Sequence, residues 1–337
     1  MDAKQHDCDV ASTTWQAWHD IPWANVSTVV ARLQTRIAKA VKAGEWRKVR
    51  SLQKLLTKST SAKVLAVRRV TENQGRKTPG VDKQTWGTPD EKWKAVEDLG
   101  NKGYKPRPLR RIYIPKANGD KRPLGIPTMR DRAMQALHLL ALDPVAKTTG
   151  DHHSYGFRRE RSTADAIEQV RNIPGRKASP KWVLEGDIKG CFDNIDHTLL
   201  LKAVRHHTQE SWVVMYIERW LKAPVQMLDG TLVERTRGTP QGGVISPLLA
   251  NLFLHYVFDK WMQRENADVP FERYADDAVC HCRSQSQAQA LISDLGRRFA
   301  QCGLELHPLK TRVVYCKDAD RRGNYTETSF DFLGFNV

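Results

Sequence analysis

The sequence has few cysteines and gives them no pattern: Cys8, Cys191, Cys280, Cys282, Cys302 and Cys316 are scattered through 337 residues. That scatter excludes a disulfide scaffold and suits a reducing compartment. No apolar run approaches the roughly 18 residues that a membrane-spanning helix requires. Met1 to Val10 is too acidic and polar for a secretory signal. No Gly-Lys-Ser/Thr follows the glycines of Gly238 to Gly243, which excludes a P-loop. Acids are scarce over one long stretch, since Arg32 to Arg69 holds twelve Lys or Arg and the single acid Glu45. These absences lead to the expectation of a cytoplasmic protein with no membrane partner.

What is present fits a globular chain that meets a polyanion. An apolar share of 40% supports a real core, while a formal charge of +16 is too large for an ordinary metabolic enzyme and points to nucleic acid. The basic stretch is helical by its period. From a cap at Ser27, Val26, Val30, Leu33, Ile37 and Val41 recur on one face, with Arg32, Arg36 and Lys39 on another and Gly44 as the stop. A second helix from Glu45 to Ser59 sets Val49, Leu52 and Leu56 against Arg47, Arg50, Lys54 and Lys58, and a third from Ser61 to Val70 adds Lys63, Arg68 and Arg69. Like charges four apart on a helix repel, so the near absence of acids makes phosphates the expected counter-charge and these ten cations the expected RNA-binding face. Trp15 and Trp18 read as packing anchors.

Further on, mixed charge gives a helix over Asp90 to Asn101. Arg111 to Pro115 and Lys121 to Ile126 read as a hairpin around Asn118-Gly119. Lys116 and Arg122 flank that turn, where two cations suit one phosphate group. Asp131 to Leu142 reads as an apolar helix packed beneath, and another helix runs from Ser162 to Arg171. Trp182 to Ile188 is a buried-type strand ending at Asp187, and Phe271 to Tyr274 with Ala278 to Cys282 forms a hairpin tipped by Asp276 and Asp277. Between them, Val225 to Leu228 and Thr231 to Arg235 flank a turn at Asp229-Gly230, and Gly238 to Pro247 leads into an apolar helix, Leu248 to Phe258, capped at Ser246. Within the catalytic-looking hairpin Cys280 and Cys282 share a face while His281 points away, so strand packing outweighs a zinc site there. An acid ending a central strand opposite an Asp pair is what two-metal phosphoryl transfer requires, with ions roughly 3.5–4 Å apart.

The blocks now in hand resemble those of bacterial group II intron-encoded reverse transcriptases and maturases. Thr78-Pro79-Gly80-Val81-Asp82 resembles the extra N-terminal block, and Ile114-Pro115-Lys116 through Arg122 to Pro127 the first fingers block. Tyr155-Gly156-Phe157-Arg158 resembles the next, and Gly186-Asp187-Ile188 through Phe192-Asp193-Asn194-Ile195-Asp196-His197 the first palm block. Gly238 to Pro247, Arg273-Tyr274-Ala275-Asp276-Asp277, Leu304 to Thr311 and Phe330 to Phe335 complete eight blocks in order. The resemblance implies an α+β fold, a right-hand polymerase whose fingers and palm (residues 96–337) carry an antiparallel palm sheet and follow a basic helical N-terminal module (residues 1–95). It implies that Asp187, Asp276 and Asp277 are catalytic and hold two Mg2+ ions. Lys116, Arg122, Ile188, Phe192, Gln241 and Lys310 would bind the dNTP, with Phe192 excluding a 2′-hydroxyl, Gln241 touching the nascent pair and Lys310 a candidate proton donor to pyrophosphate. The implied partners are an RNA template, a DNA or RNA primer, dNTPs and group II intron RNA, the last for splicing and retrohoming in full-length relatives. Family members continue into a thumb and often endonuclease domains. The chain stops at Val337, so the expectation is a fingers-and-palm protein with weak primer-template retention. The alternatives are an RNA-binding splicing cofactor with little polymerase activity, or a reverse transcriptase of a retron, diversity-generating or CRISPR-linked system.

Overall fold

The computed structural model describes residues 15, 17–100, 103–115, 119–173, 180–316 and 325–336. Three helices open it: α1 (Trp23–Lys42), α2 (Trp46–Lys58) and α3 (Thr60–Thr71). The apolar stripes read from the sequence are the faces that pack, with Val26, Val30, Leu33, Ile37, Val41, Val49, Leu52 and Leu56 all buried. The expected start at Ser27 is corrected. Helix α1 begins one turn earlier, after Pro22, because Trp23 extends the packing stripe. The Trp18 ring meets the Trp23 ring edge-on at 5.1 Å, and the Arg68 guanidinium lies 4.3 Å over the Trp23 ring. Helix α4 (Pro89–Asp98) starts at a reciprocal Thr88–Glu91 capping box.

The fingers hairpin pairs β1 (Leu109–Pro115) with β2 (Lys121–Ile126), Ile114 opposite Arg122. Lys116 and Asn118 lie outside the described residues. Helix α5 (Met129–Thr149) is longer than the expected Asp131 to Leu142 and buried on every side. It packs on α1, α2 and α3 and on the palm helix Ser246–Leu254, so one hydrophobic core runs from Trp18 through the palm to Leu304.

After α6 (Thr163–Asn172), capped by Ser162, the chain enters β3 (Trp182–Asp187), a short α7 (Cys191–Asn194), α8 (His197–Arg205) and α9 (Ser211–Lys222). Strands β4 (Val225–Gln226) and β5 (Leu232–Val233) add to the fingers sheet, in the order β2-β1-β4-β5. The helix read as Leu248 to Phe258 is three segments: α10 (Ser246–Leu254), a π-helical turn (His255–Asp259) and α11 (Lys260–Glu265). Ser246 is not its cap; the Gln135 side-chain oxygen accepts the Val244 and Ile245 N–H groups instead, at 2.8 and 3.4 Å. That long-range partner ties the two residues before the helix to α5.

The palm sheet has the order β6-β7-β3-β8, every neighbour antiparallel, from β6 (Phe271–Tyr274), β7 (Asp277–Cys282), β3 and β8 (Arg312–Tyr315). Helix α12 (Gln285–Gln301) links β7 to the Leu304–Thr311 block, and β9 (Asp331–Phe332) with β10 (Phe335–Asn336) closes the described chain. Leu184, Cys280 and Cys282 enter the main core. Val183, Val279 and Val314 enter a second one with Tyr155, Ile167, Phe330 and Phe332. Cys280 and Cys282 therefore share a face, as their spacing requires, and the fully buried His281 faces the other way with Val279.

Candidate active site

Strand β3 lies between β7 and β8, and the register sets Asp187 directly opposite Asp277. Directly opposed residues of an antiparallel pair have Cα atoms only about 4.5–5.5 Å apart. Asp276 stands beside Asp277 in the two-residue turn of the β6–β7 hairpin, and its partner in that turn, Ala275, is left-handed at φ +57. Two-residue hairpins favour positive φ, which costs a non-glycine residue roughly 1–2 kcal/mol. The convergence of the three acids thus follows from pairing, not from loop placement.

Crowded carboxylates in a half-dry cleft resist ionisation. Burial, with the charges of Asp276 and Asp187, pushes the Asp277 carboxyl up to about 7, and burial first and Asp187 second push Asp276 up too. Lys310 opposes this, its Nζ donating to Asp187 Oδ2 at 2.6 Å, and that bond raises the ammonium's own pKa. The Lys310 loop is laced to the segment after β3: Lys189 N–H donates to Glu305 O at 2.9 Å, and His307 N–H to Asp187 O at 2.8 Å.

Two contiguous cavities surround the carboxylates. One of about 1000 Å3 is lined by Asp187, Ile188, Asp276, Asp277, His307 and Lys310 below and by Ile114, Asp120 and Arg122 of the fingers above. The other, about 490 Å3, shares Arg122, Gly190 and Asp276 and adds Phe192, Gln241 and Phe157. The structure thus brings together Asp187, Asp276, Asp277, Arg122, Ile188, Phe192, Gln241 and Lys310, while Lys116 lies outside the described residues. Phe192 meets the Phe157 ring edge-on at 5.9 Å. Gln241 Nε2 donates to Asp193 Oδ2 at 3.1 Å, and the Gln241 carbonyl accepts the fingers' Gly125 N–H at 2.9 Å. Gly238, at φ +79, lets its loop press on the Phe192–Asp193 backbone; a Cβ there would sit 2.6 Å from Asp193 O.

The donor set suits a divalent cation. Among the described residues no three His, Cys, Asp or Glu side chains close into a preformed cage. Mg2+ does not need one, because it binds through one or two carboxylates plus substrate phosphates and water. Paired acids whose charge burial disfavours are what such an ion would neutralise.

The basic helices are placed less uniformly. Arg32, Arg36, Lys39, Arg47, Lys54 and Lys58 are exposed. Arg50 instead reaches Gln209 at 2.5 Å and Glu210 at 3.6 Å, and Arg68 pairs with Glu72 at 2.8 Å, so protein supplies part of the counter-charge. Lys63 is half-buried, which lowers its pKa. Arg69 lines a groove of about 240 Å3 with Arg159, Phe157 and Pro247, the last two shared with the smaller of the two cavities at the carboxylates.

Sequence reading missed the support behind the hairpin. Arg273 is fully buried: its Nε and Nη2 donate to Asp259 Oδ1 and Oδ2 at 2.6 and 2.7 Å, and its Nη1 donates to Ala275 O at 2.8 Å and Asn251 Oδ1 at 3.2 Å. Burial raises the Asp259 pKa, yet Arg273 and His255 hold it below the ordinary value. Ser154 bridges Arg273 along the open edge of β6, with Tyr155 N–H donating to Arg273 O at 2.8 Å. The next residue, Gly156, abuts the turn. Only the position of Arg273 beside the acidic pair hinted at this; Asp259 and Asn251 carried no local signal.

Comparison with known proteins matches residues 114–337 to the family model "Reverse transcriptase (RNA-dependent DNA polymerase)" and residues 18–99 to "N-terminal domain of reverse transcriptase". Protein YkfC of Escherichia coli K12 is 35% identical over 309 residues, 79% of this chain and 81% of that protein. The group II intron-encoded protein LtrA of Lactococcus lactis is 38% identical over 219 residues, 64% of this chain but 35% of LtrA. The chain thus spans most of one relative and about a third of the other. Telomerase from Candida albicans, solved with a fragment of telomeric RNA, shares the fold at a TM-score of 0.51 and 15% identity, over 73% of this chain and 47% of that one.

Proposed function

Because the chain belongs to the reverse transcriptase family, we propose that it is an RNA-directed DNA polymerase of the group II intron class, which adds dNTPs to a primer 3′-hydroxyl under RNA instruction. The observation that carries the proposal is the register of β3 against β7, which faces Asp187 to Asp277 with Asp276 beside them. Two divalent ions held by these carboxylates would lower the pKa of the attacking hydroxyl and stabilise the departing pyrophosphate. Arg122, above the carboxylates, presents a planar guanidinium to the triphosphate. The Lys310 ammonium, which Asp187 keeps charged, would meet the negative charge that gathers on the leaving group. Phe192, backed by Phe157, would form the floor against which a 2′-hydroxyl presses, and Gln241, held by Asp193, would meet the pairing bases.

The exposed cations of α1 and α2 support contact with RNA outside the catalytic cleft, including the intron RNA of a splicing role. That observation also favours a second reading, an RNA-binding splicing cofactor with weak polymerase activity. Primer extension separates the two. With an RNA template and Mg2+, the purified chain should extend a primer with dNTPs, use NTPs poorly, and use them better after Phe192→Ala. RNA binding without any dNTP incorporation would favour the cofactor reading.

A further inference from the structure

The catalytic turn is held in an unfavourable backbone conformation by a buried ionic network that reaches into the helix behind it. Ala275 is left-handed, and its carbonyl accepts from Arg273 Nη1. Arg273 and Asp259 are both about 1% exposed and joined by a two-bond fork. Asn251 occupies the space between: its Oδ1 accepts from Arg273 Nη1, and its Nδ2 donates to the carbonyl of Gly156, the residue packed against Ala275. Asp259 ends the π-helical turn, whose Tyr256 and Val257 carbonyls accept from Arg298 at 3.1 and 3.0 Å. Such wide turns cost helix regularity and recur at functional sites.

A buried ion pair by itself is a weak source of stability, because desolvation offsets much of its attraction. This pair does something more specific. The fork fixes the guanidinium plane, and the plane fixes where Nη1 points, which is at the carbonyl one residue before Asp276. We infer that Asp259, Arg273 and Asn251 are positioning residues that set the spacing of Asp276 and Asp277, and so govern divalent-metal affinity without touching metal or substrate. The inference rests on those two aspartates being the metal-binding pair. It predicts that loosening the network weakens metal binding more than it disturbs the fold.

The test uses Arg273→Lys, which keeps the charge and loses the fork, and Asn251→Ala, which leaves the Arg273–Asp259 pair intact. Mn2+ binding is measured by electron paramagnetic resonance of the free ion, without nucleotide, and hydrogen exchange of residues 271–277 is followed without metal. Both variants should melt cooperatively, exchange the turn amides faster and bind Mn2+ about 10-fold more weakly, the scale seen when groups behind metal ligands are removed. If Arg273→Lys does not fold, Asn251→Ala carries the test. Wild-type Mn2+ affinity in a folded variant, whatever its melting temperature, would overturn the inference. Wild-type affinity in Asp276→Ala would overturn the metal-site reading and this inference with it.

Discussion

Asp277 shows what the site costs the fold. Its carboxyl titrates near 7, against about 3.9 in an unfolded chain. Between those values the folded state binds the extra proton, so this group's contribution to stability declines as pH rises from about 4 to about 7 and stays reduced above. Asp277→Asn removes the buried charge and its repulsion by Asp276 and Asp187, and should raise the metal-free melting temperature at about pH 8 while abolishing polymerisation. An unchanged or lower melting temperature would contradict the assigned cause. Metal must displace the same proton, so apparent Mg2+ affinity should rise as pH climbs through about 7. At this scale much was legible in the sequence, since Asp276 and Asp277 are adjacent and Asp187 ends a strand. The left-handed Ala275 and the network behind it were not, because they depend on partners far away in sequence, such as Asn251 and Asp259.

At the scale of elements, the acidic hairpin is positioned by what abuts it. A Cβ at Gly156 would lie 2.3 Å from Ala275 N, closer than any real contact. Gly156→Ala should therefore push the turn away, destabilising the protein by about 1–3 kcal/mol and reducing activity more than that loss explains; wild-type turnover would show that the turn tolerates displacement. The basic helices yield a separate expectation. Neutralising Arg32, Arg36, Lys39, Arg47, Lys54 and Lys58 to Gln should lower the salt dependence of single-stranded RNA binding, by up to about 4 in the slope of log K against log salt. Arg50→Gln and Arg68→Gln should matter less, since protein groups already engage both side chains. Helical periods showed where α1 and α2 lie, because each has one apolar face. The break at His255–Asp259 left no trace in a segment that is apolar on nearly every side.

At the scale of the molecule, α5 binds the N-terminal helices to the palm, and its burial on all sides hid its length and partners from any reading by face. The same continuous core buries His138, and with the desolvated His207 and His281 it holds three imidazoles near a pKa of 4 by burial. An unfolded chain protonates them near 6.5. The unfolded state therefore gains these protons first on acidification, and the contribution of the three imidazoles to stability falls as pH drops from about 6.5 to about 4, opposite in sign to that of the raised carboxyls of Asp276 and Asp277. In metal-free melts at about pH 7.5, 5.5 and 4.5, His281→Leu should gain progressively on the wild-type chain as pH falls. His281 suits that substitution because neither ring nitrogen has a hydrogen-bond partner among the described residues. A difference between the two proteins that does not grow toward low pH would contradict the burial cause.

The convergence of Asp187, Asp276 and Asp277 on one reaction is tested most directly by single-nucleotide dNTP addition to a primer on an RNA template with saturating Mg2+, comparing the wild-type chain with Asp276→Ala. The carboxylate site requires wild-type incorporation and a loss of at least about 1000-fold in the variant, some 4 kcal/mol of transition-state stabilisation, with the variant's melting curve still cooperative. Equal rates in the two proteins would show that the chemistry, if any, resides elsewhere.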